Sequence, residues 1–83
     1  MGRGKREFPK RLGQKLKQIR LQLGIETYDE MINRLDCSEI KLHPSSIYLF
    51  EQGEREPSLV VVLKYARLAQ IPVEQLIDDD LNL

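Results

Sequence analysis

The sequence predicts an all-α fold, a compact bundle of five short helices, on three observations. Apolar residues recur at intervals of three and four, as in Leu12, Leu16, Ile19 and Leu23, the spacing that lines one face of a helix. Helix-start signals stand at Pro9, Thr27, Pro44 and Ser58, and Gly24 and Gly53 follow the first and third apolar runs as stops. No stretch alternates apolar and polar residues over the length of a strand. The 83 residues allow one domain with a small core, so net stability belongs in the range of about 4–12 kcal/mol.

The elements follow in order. Residues 1–8 are basic and glycine-containing, with little to bury, and read as a flexible basic arm. Pro9 opens the first helix where its missing N–H costs nothing. Gly13 weakens that helix by up to about 1 kcal/mol relative to Ala. Thr27 and Glu30 form a T-x-x-E capping box for a second helix from Tyr28 to Leu35, with Met31, Ile32 and Leu35 inward. Residues 36–43 read as a loop with at most a brief extended stretch. The third helix runs from Pro44 to Gln52 with His43 as N-cap and Ile47 and Phe50 inward. Ser58 caps the fourth, 59–70, with Leu59, Val62, Leu63, Ala66 and Ala69 on one side. A short fifth helix, 73–78, places Leu76 and Ile77 inward, and an acidic tail, 79–83, follows. The folded domain therefore spans 9–78.

Composition closes off several functions. The longest apolar run, Leu59–Leu63, is far too short to cross a bilayer. The charged N-terminus lacks the apolar segment of a secretory signal, and the single cysteine, Cys37, forms no internal disulfide, so the expected compartment is the cytoplasm. One histidine and one cysteine make no metal cluster, there is no glycine-rich phosphate loop, and no catalytic constellation stands out. The expectation is a non-enzyme without cofactor or metal. Five aromatics are too few for a single-strand stacking platform.

Formal net charge is zero, with 13 basic and 13 acidic residues. The distribution is not neutral. Residues 1–20 carry eight basic side chains against one acid, and residues 21–83 carry five against twelve, so the chain is +7 and then −7.

After the third helix comes Glu51-x-Gly53-x-Arg55-x-Pro57-Ser58-Leu59. With Leu16-x-x-Ile19-Arg20-x-x-x-Gly24 before it, and Leu63-x-x-Ala66-x-x-x-x-Ile71 and Glu74-x-Leu76-Ile77 after it, this run resembles the lambda-repressor-like, or XRE-type, helix-turn-helix domains over about residues 10–78. The chain departs from that pattern in one extra residue after Gly24 and about five between the second and third helices, where the family's glycine-based turn is missing.

The resemblance implies double-stranded DNA binding, with the third helix in the major groove and the second across the backbone. It places Tyr28 on a phosphate and turns Pro44, Ser45 and Leu49 toward the bases, flanked by Ser46 and Tyr48. Only the serines hydrogen-bond base edges, Leu49 suits a thymine methyl, and no Arg, Gln or Asn is placed for bidentate readout. Thr27, Lys41 and His43, at the starts of the two helices, complete the candidate DNA-facing set. The resemblance also implies a structural ion pair between Arg20 and Glu51.

Other residues admit two readings from sequence. The basic run with Arg3, Lys5, Arg6, Lys10 and Arg11 is either a phosphate or minor-groove arm, or a solvated tail or a partner of the acidic half. Arg55 either grips a phosphate or pairs with Glu54 or Glu56. Val60 and Val61 read as a homodimer contact, or as a wider buried face. The leading expectation is a DNA-binding transcriptional regulator acting as a homodimer; the rival is a protein-interaction module on the same scaffold, favoured by the apolar chemistry of 44–49.

Overall fold

The computed structural model describes residues 9–83, so the arm 1–8 with Arg3, Lys5 and Arg6 lies outside the described residues. Five helices form, α1 (Leu12–Gln22), α2 (Tyr28–Leu35), α3 (Pro44–Gln52), α4 (Leu59–Ala69) and α5 (Glu74–Ile77), with no strand among the described residues. Leu12, Leu16 and Ile19 of α1 bury against Met31 and Leu35 of α2, Ile47 and Phe50 of α3, Val61, Val62, Tyr65 and Ala66 of α4 and Leu76 of α5. None of these helices is long and apolar enough to cross a membrane.

Glycine and its stand-ins end the helices. At the end of α1, Gly24 takes φ +73°, its N–H reaches the Leu21 carbonyl at 3.1 Å, and the Ile25 N–H reaches the Arg20 carbonyl at 3.1 Å. This paired reversal, which satisfies the last carbonyls, also drives Ile25 into the core. Gly53 ends α3 in the same way at φ +76°, with Glu54 N–H on the Leu49 carbonyl at 3.0 Å. Asp36 and Gln70 adopt the left-handed conformation without being glycine, at φ 55° and 59°. The connection 36–43 is irregular, with Cys37 buried in the core and Ile40 and Leu42 half-buried over it. Lys64 on α4 reaches Glu39 in this loop at 3.9 Å.

Gly13 sets the crossing of α1 and α3. A Cβ at that position would sit 2.7 Å from the Phe50 carbonyl oxygen and 2.8 Å from that of Glu51. The residue that weakens α1 as a helix is therefore the one that lets the two backbones approach.

Four expectations need correction. The helix predicted from Pro9 begins at Leu12, because the Asp79 carboxylate accepts the N–H groups of Lys10 (2.9 Å) and Arg11 (3.0 Å) and holds those residues in a turn. The fourth helix is rotated relative to the predicted face: Leu59 is 85% exposed and Leu63 38%, while Val61 and Tyr65 are buried. Val61 thus belongs to the core and offers nothing to a second chain, whereas Val60 stays partly exposed. The fifth helix is a single turn, and Ile77 points largely outward. The capping box is half made: Thr27 accepts from the Glu30 N–H at 3.1 Å, but the Glu30 carboxylate turns to Arg34 at 3.8 Å.

The acidic residues after α5 fold back on α1. Arg11 donates from Nη1 to the Asp79 carbonyl and from Nη2 to Asn82 Oδ1. Gln75 Nε2 reaches the Asn82 carbonyl at 3.0 Å, and Leu83 packs half-buried against the core. The Lys15 ammonium, on a buried side chain, donates to the carbonyls of Gln75 (2.7 Å) and Asp78 (2.8 Å), satisfying the last carbonyls of α5 with a positive charge.

Candidate nucleic-acid interface

The outer face of α3 carries Ser45, Tyr48, Leu49 and Gln52, which fall three and four residues apart and so share one stripe. Ser45, Tyr48 and Gln52 are exposed and Leu49 is half-buried. Pro44 and His43 are exposed at the start of the helix, and His43 caps it through extended backbone without a side-chain bond. Lys41 is exposed just before them.

The inner face fixes this stripe in place. Arg20 on α1 donates from Nε to Glu51 Oε2 at 2.7 Å and from Nη2 to Glu51 Oε1 at 3.2 Å, a two-point grip on side chains 9% and 1% exposed. Its remaining terminal nitrogen, Nη1, donates to the Ile25 carbonyl at 3.1 Å. The bond to Glu51 strengthens the charged form of Arg20 against burial. The same guanidinium lies 5.0 Å from the centre of the Tyr28 ring, a cation–π contact. Tyr28 meets Tyr48 edge-on, with ring centres 6.4 Å apart. One chain of contacts thus runs from Glu51 through Arg20 and Tyr28 back to Tyr48, joining α1, α2 and both faces of α3.

Ser46 is buried and faces away from the outer stripe, so it reads no base. Its hydroxyl accepts a hydrogen bond from Arg55 Nη1 at 3.3 Å. Arg55, which the sequence offered either to a phosphate or to the neighbouring acids, therefore carries its exposed guanidinium back beside the first turn of α3. The buried serine thereby holds the Arg55 guanidinium at the first turn of α3.

Among the described residues, part of the basic segment is engaged internally. Of the basic residues at 10–20, Arg11, Lys15 and Arg20 bond to Asp79 and Asn82, to α5, and to Glu51, while Lys10 and Lys17 have exposed side chains. Gln52, absent from the sequence-based set, extends the stripe by one turn; the spacing 45, 48, 49 and 52 was its signal, and its amide is suited to bidentate contact with adenine. No group of three or more His, Cys, Asp or Glu side chains is arranged for a metal ion among the described residues. Burial pushes the Cys37 thiol up from its ordinary value, which keeps it protonated. Comparison with known proteins matches the chain to no protein-family model, no curated protein and no solved structure.

Proposed function

We propose that this protein binds double-stranded DNA as a transcriptional regulator of the lambda-repressor-like helix-turn-helix kind, with α2 and α3 as the motif and α3 in the major groove. One observation carries the reading: α3 is clamped from behind by the Gly13 approach and the Arg20–Glu51 pair, while Ser45, Tyr48, Leu49 and Gln52 face outward with the Arg55 guanidinium beside them. A rigid helix with a polar and apolar outer stripe suits a groove, and Arg55, Lys41 and the start of α2, with Thr27 exposed and Tyr28 half-buried, suit the flanking phosphates. The connection between α2 and α3 is longer than the three or four residues of the compact motif, and the loop at 36–43 packs Cys37, Ile40 and Leu42 onto the core.

The test is binding of the full chain to random-sequence duplex across a salt series, with and without residues 1–8. Log affinity is expected to fall with log salt, with a slope near −4.5 if about five phosphates are neutralised. Arg55→Ala should reduce the slope by about 0.9. No binding of the full chain even at low salt overturns the proposal.

A second reading has its own observation. Leu59, Val60 and Leu63 form an exposed apolar ridge on α4, which suits a protein partner. A second copy of the chain serves both readings, since paired copies would present two α3 helices to half-sites about one helical turn apart. Sedimentation of the protein and of Leu63→Glu tests this: a dimer that the substitution dissociates supports it, and a monomer at all concentrations removes it.

A further inference from the structure

Residues 78–83 cross the start of α1, and their grip is polar. The Asp79 carboxylate takes the N–H groups of Lys10 and Arg11, its carbonyl takes Arg11 Nη1, and Asn82 takes Arg11 Nη2. Asp80, Leu81 and Asn82 are exposed, and half-buried Leu83 is the apolar contact with the core that opposes lifting this segment. The core contribution of α5 lies one turn earlier, at Leu76, and Lys15 pins the chain at Gln75 and Asp78. Residues after Asp78 can therefore open while Leu76 and Lys15 keep α5 docked, at the cost of the Asp79 cap on α1.

We propose that this strap is an autoinhibitory contact that withholds Arg11 from DNA; the inference rests on the DNA-binding reading above. A guanidinium recognises a phosphate through the same planar fork that here holds Asp79 and Asn82. The segment that occupies the fork carries three successive acids, Asp78, Asp79 and Asp80, and like charge works against a phosphate nearby. Arg11 also stands next to Lys10, where the basic N-terminal run joins the described residues. Duplex binding and strap closure therefore compete for one side chain, and the strap lowers affinity for non-specific DNA.

The experiment measures affinity of the full chain for random duplex over a salt series, in wild type and three variants. Asn82→Ala loosens the strap without changing net charge, and leaves the Asp79 contacts that organise the start of α1. It should tighten binding about three- to tenfold at low salt and steepen the log–log slope by about 0.9, the increment of one added phosphate. Asp79→Asn should shift both in the same direction and further. Glu74→Gln, which makes the same charge change on exposed α5 outside the strap and the proposed DNA face, serves as the control. Wild-type affinity and slope in Asn82→Ala overturn the strap while leaving the DNA reading intact, as does a shift in Asp79→Asn no larger than in Glu74→Gln. If wild type and all variants fail to bind at low salt, the DNA reading falls and the strap with it. Should Asp79→Asn fray α1 by circular dichroism, Asn82→Ala alone decides.

Discussion

Gly13 and Phe50 meet backbone to backbone: a Cβ on Gly13 would lie 2.7 Å from the Phe50 carbonyl oxygen, with the Glu51 carbonyl nearly as close. Because the obstacle is main chain, no side chain can rotate away. Gly13→Ala gains up to about 1 kcal/mol of helix propensity, but overpacking costs about 1–3 kcal/mol. A net loss of about 1–2 kcal/mol is expected, in a direction opposite to the propensity rule. Urea denaturation checks it; an Ala variant as stable as wild type would mean that α1 and α3 do not cross this closely.

The Arg20–Glu51 pair is buried and held at two points, so breaking one side leaves a charge without its partner. Glu51→Leu or Arg20→Met should each cost about 3–5 kcal/mol, much of the stability available to a chain this small. Replacing both, as Arg20→Met with Glu51→Leu, should recover most of that loss. A double-mutant cycle measures the coupling. Purely additive effects would show that the two side chains do not depend on one another in the folded protein.

These two contacts differ in how far the sequence discloses them. The ion pair is implied by a motif resemblance, since Arg20 and Glu51 stand at characteristic places relative to Gly24 and Gly53. The close approach at Gly13 is invisible locally, because a glycine announces its neighbour only when that neighbour is known. Start and stop signals marked most helices well, since caps are made by adjacent residues: Thr27 and Ser58 each accept a bond three residues on. The start of α1 was misplaced because its cap, Asp79, is 68 residues from Arg11. The phase of α4 was misread because Leu59–Leu63 is apolar throughout and carries no periodicity. Burial of Lys15 left no trace either, as its partners are main-chain carbonyls that any residue type supplies. The outer stripe of α3 was legible except for Gln52, and the inward turn of Ser46 only became visible through Arg55.

Asp79 gives the fold an acid-sensitive contact. Its carboxyl is held below the usual carboxylate value by the N–H groups of Arg11 first and Lys10 next. A depressed folded value stabilises the protein above the unfolded value, near 3.9, and that contribution disappears as pH falls through the folded value. Wild type should therefore exceed Asp79→Asn in stability by a constant margin at neutral pH, and the margin should close below about pH 4. Denaturation curves of both proteins from pH 7 to pH 3 test this. A margin that is absent at neutral pH, or that grows on acidification, would contradict the capping role.

Tyr65 is the largest completely buried side chain, and its hydroxyl has no hydrogen-bond partner among the described residues. Burial and then the nearby Glu51 charge push its phenol above the ordinary tyrosine value. An unsatisfied buried hydroxyl costs about 1–3 kcal/mol, so Tyr65→Phe, which keeps the ring and removes the oxygen, should stabilise the protein by about 1 kcal/mol. The melting temperature should rise by roughly 4–8 °C. Tyr65→Leu should do the reverse, because it empties part of the core that the ring fills. The elevated phenol value sets the alkaline behaviour: the neutral form is favoured in the folded state, so wild-type stability holds below the unfolded value near 10 and declines as pH rises beyond it. Tyr65→Phe should lack that component of the decline. A phenylalanine variant that melts below wild type at pH 7 would mean that the hydroxyl has a stabilising partner in solution.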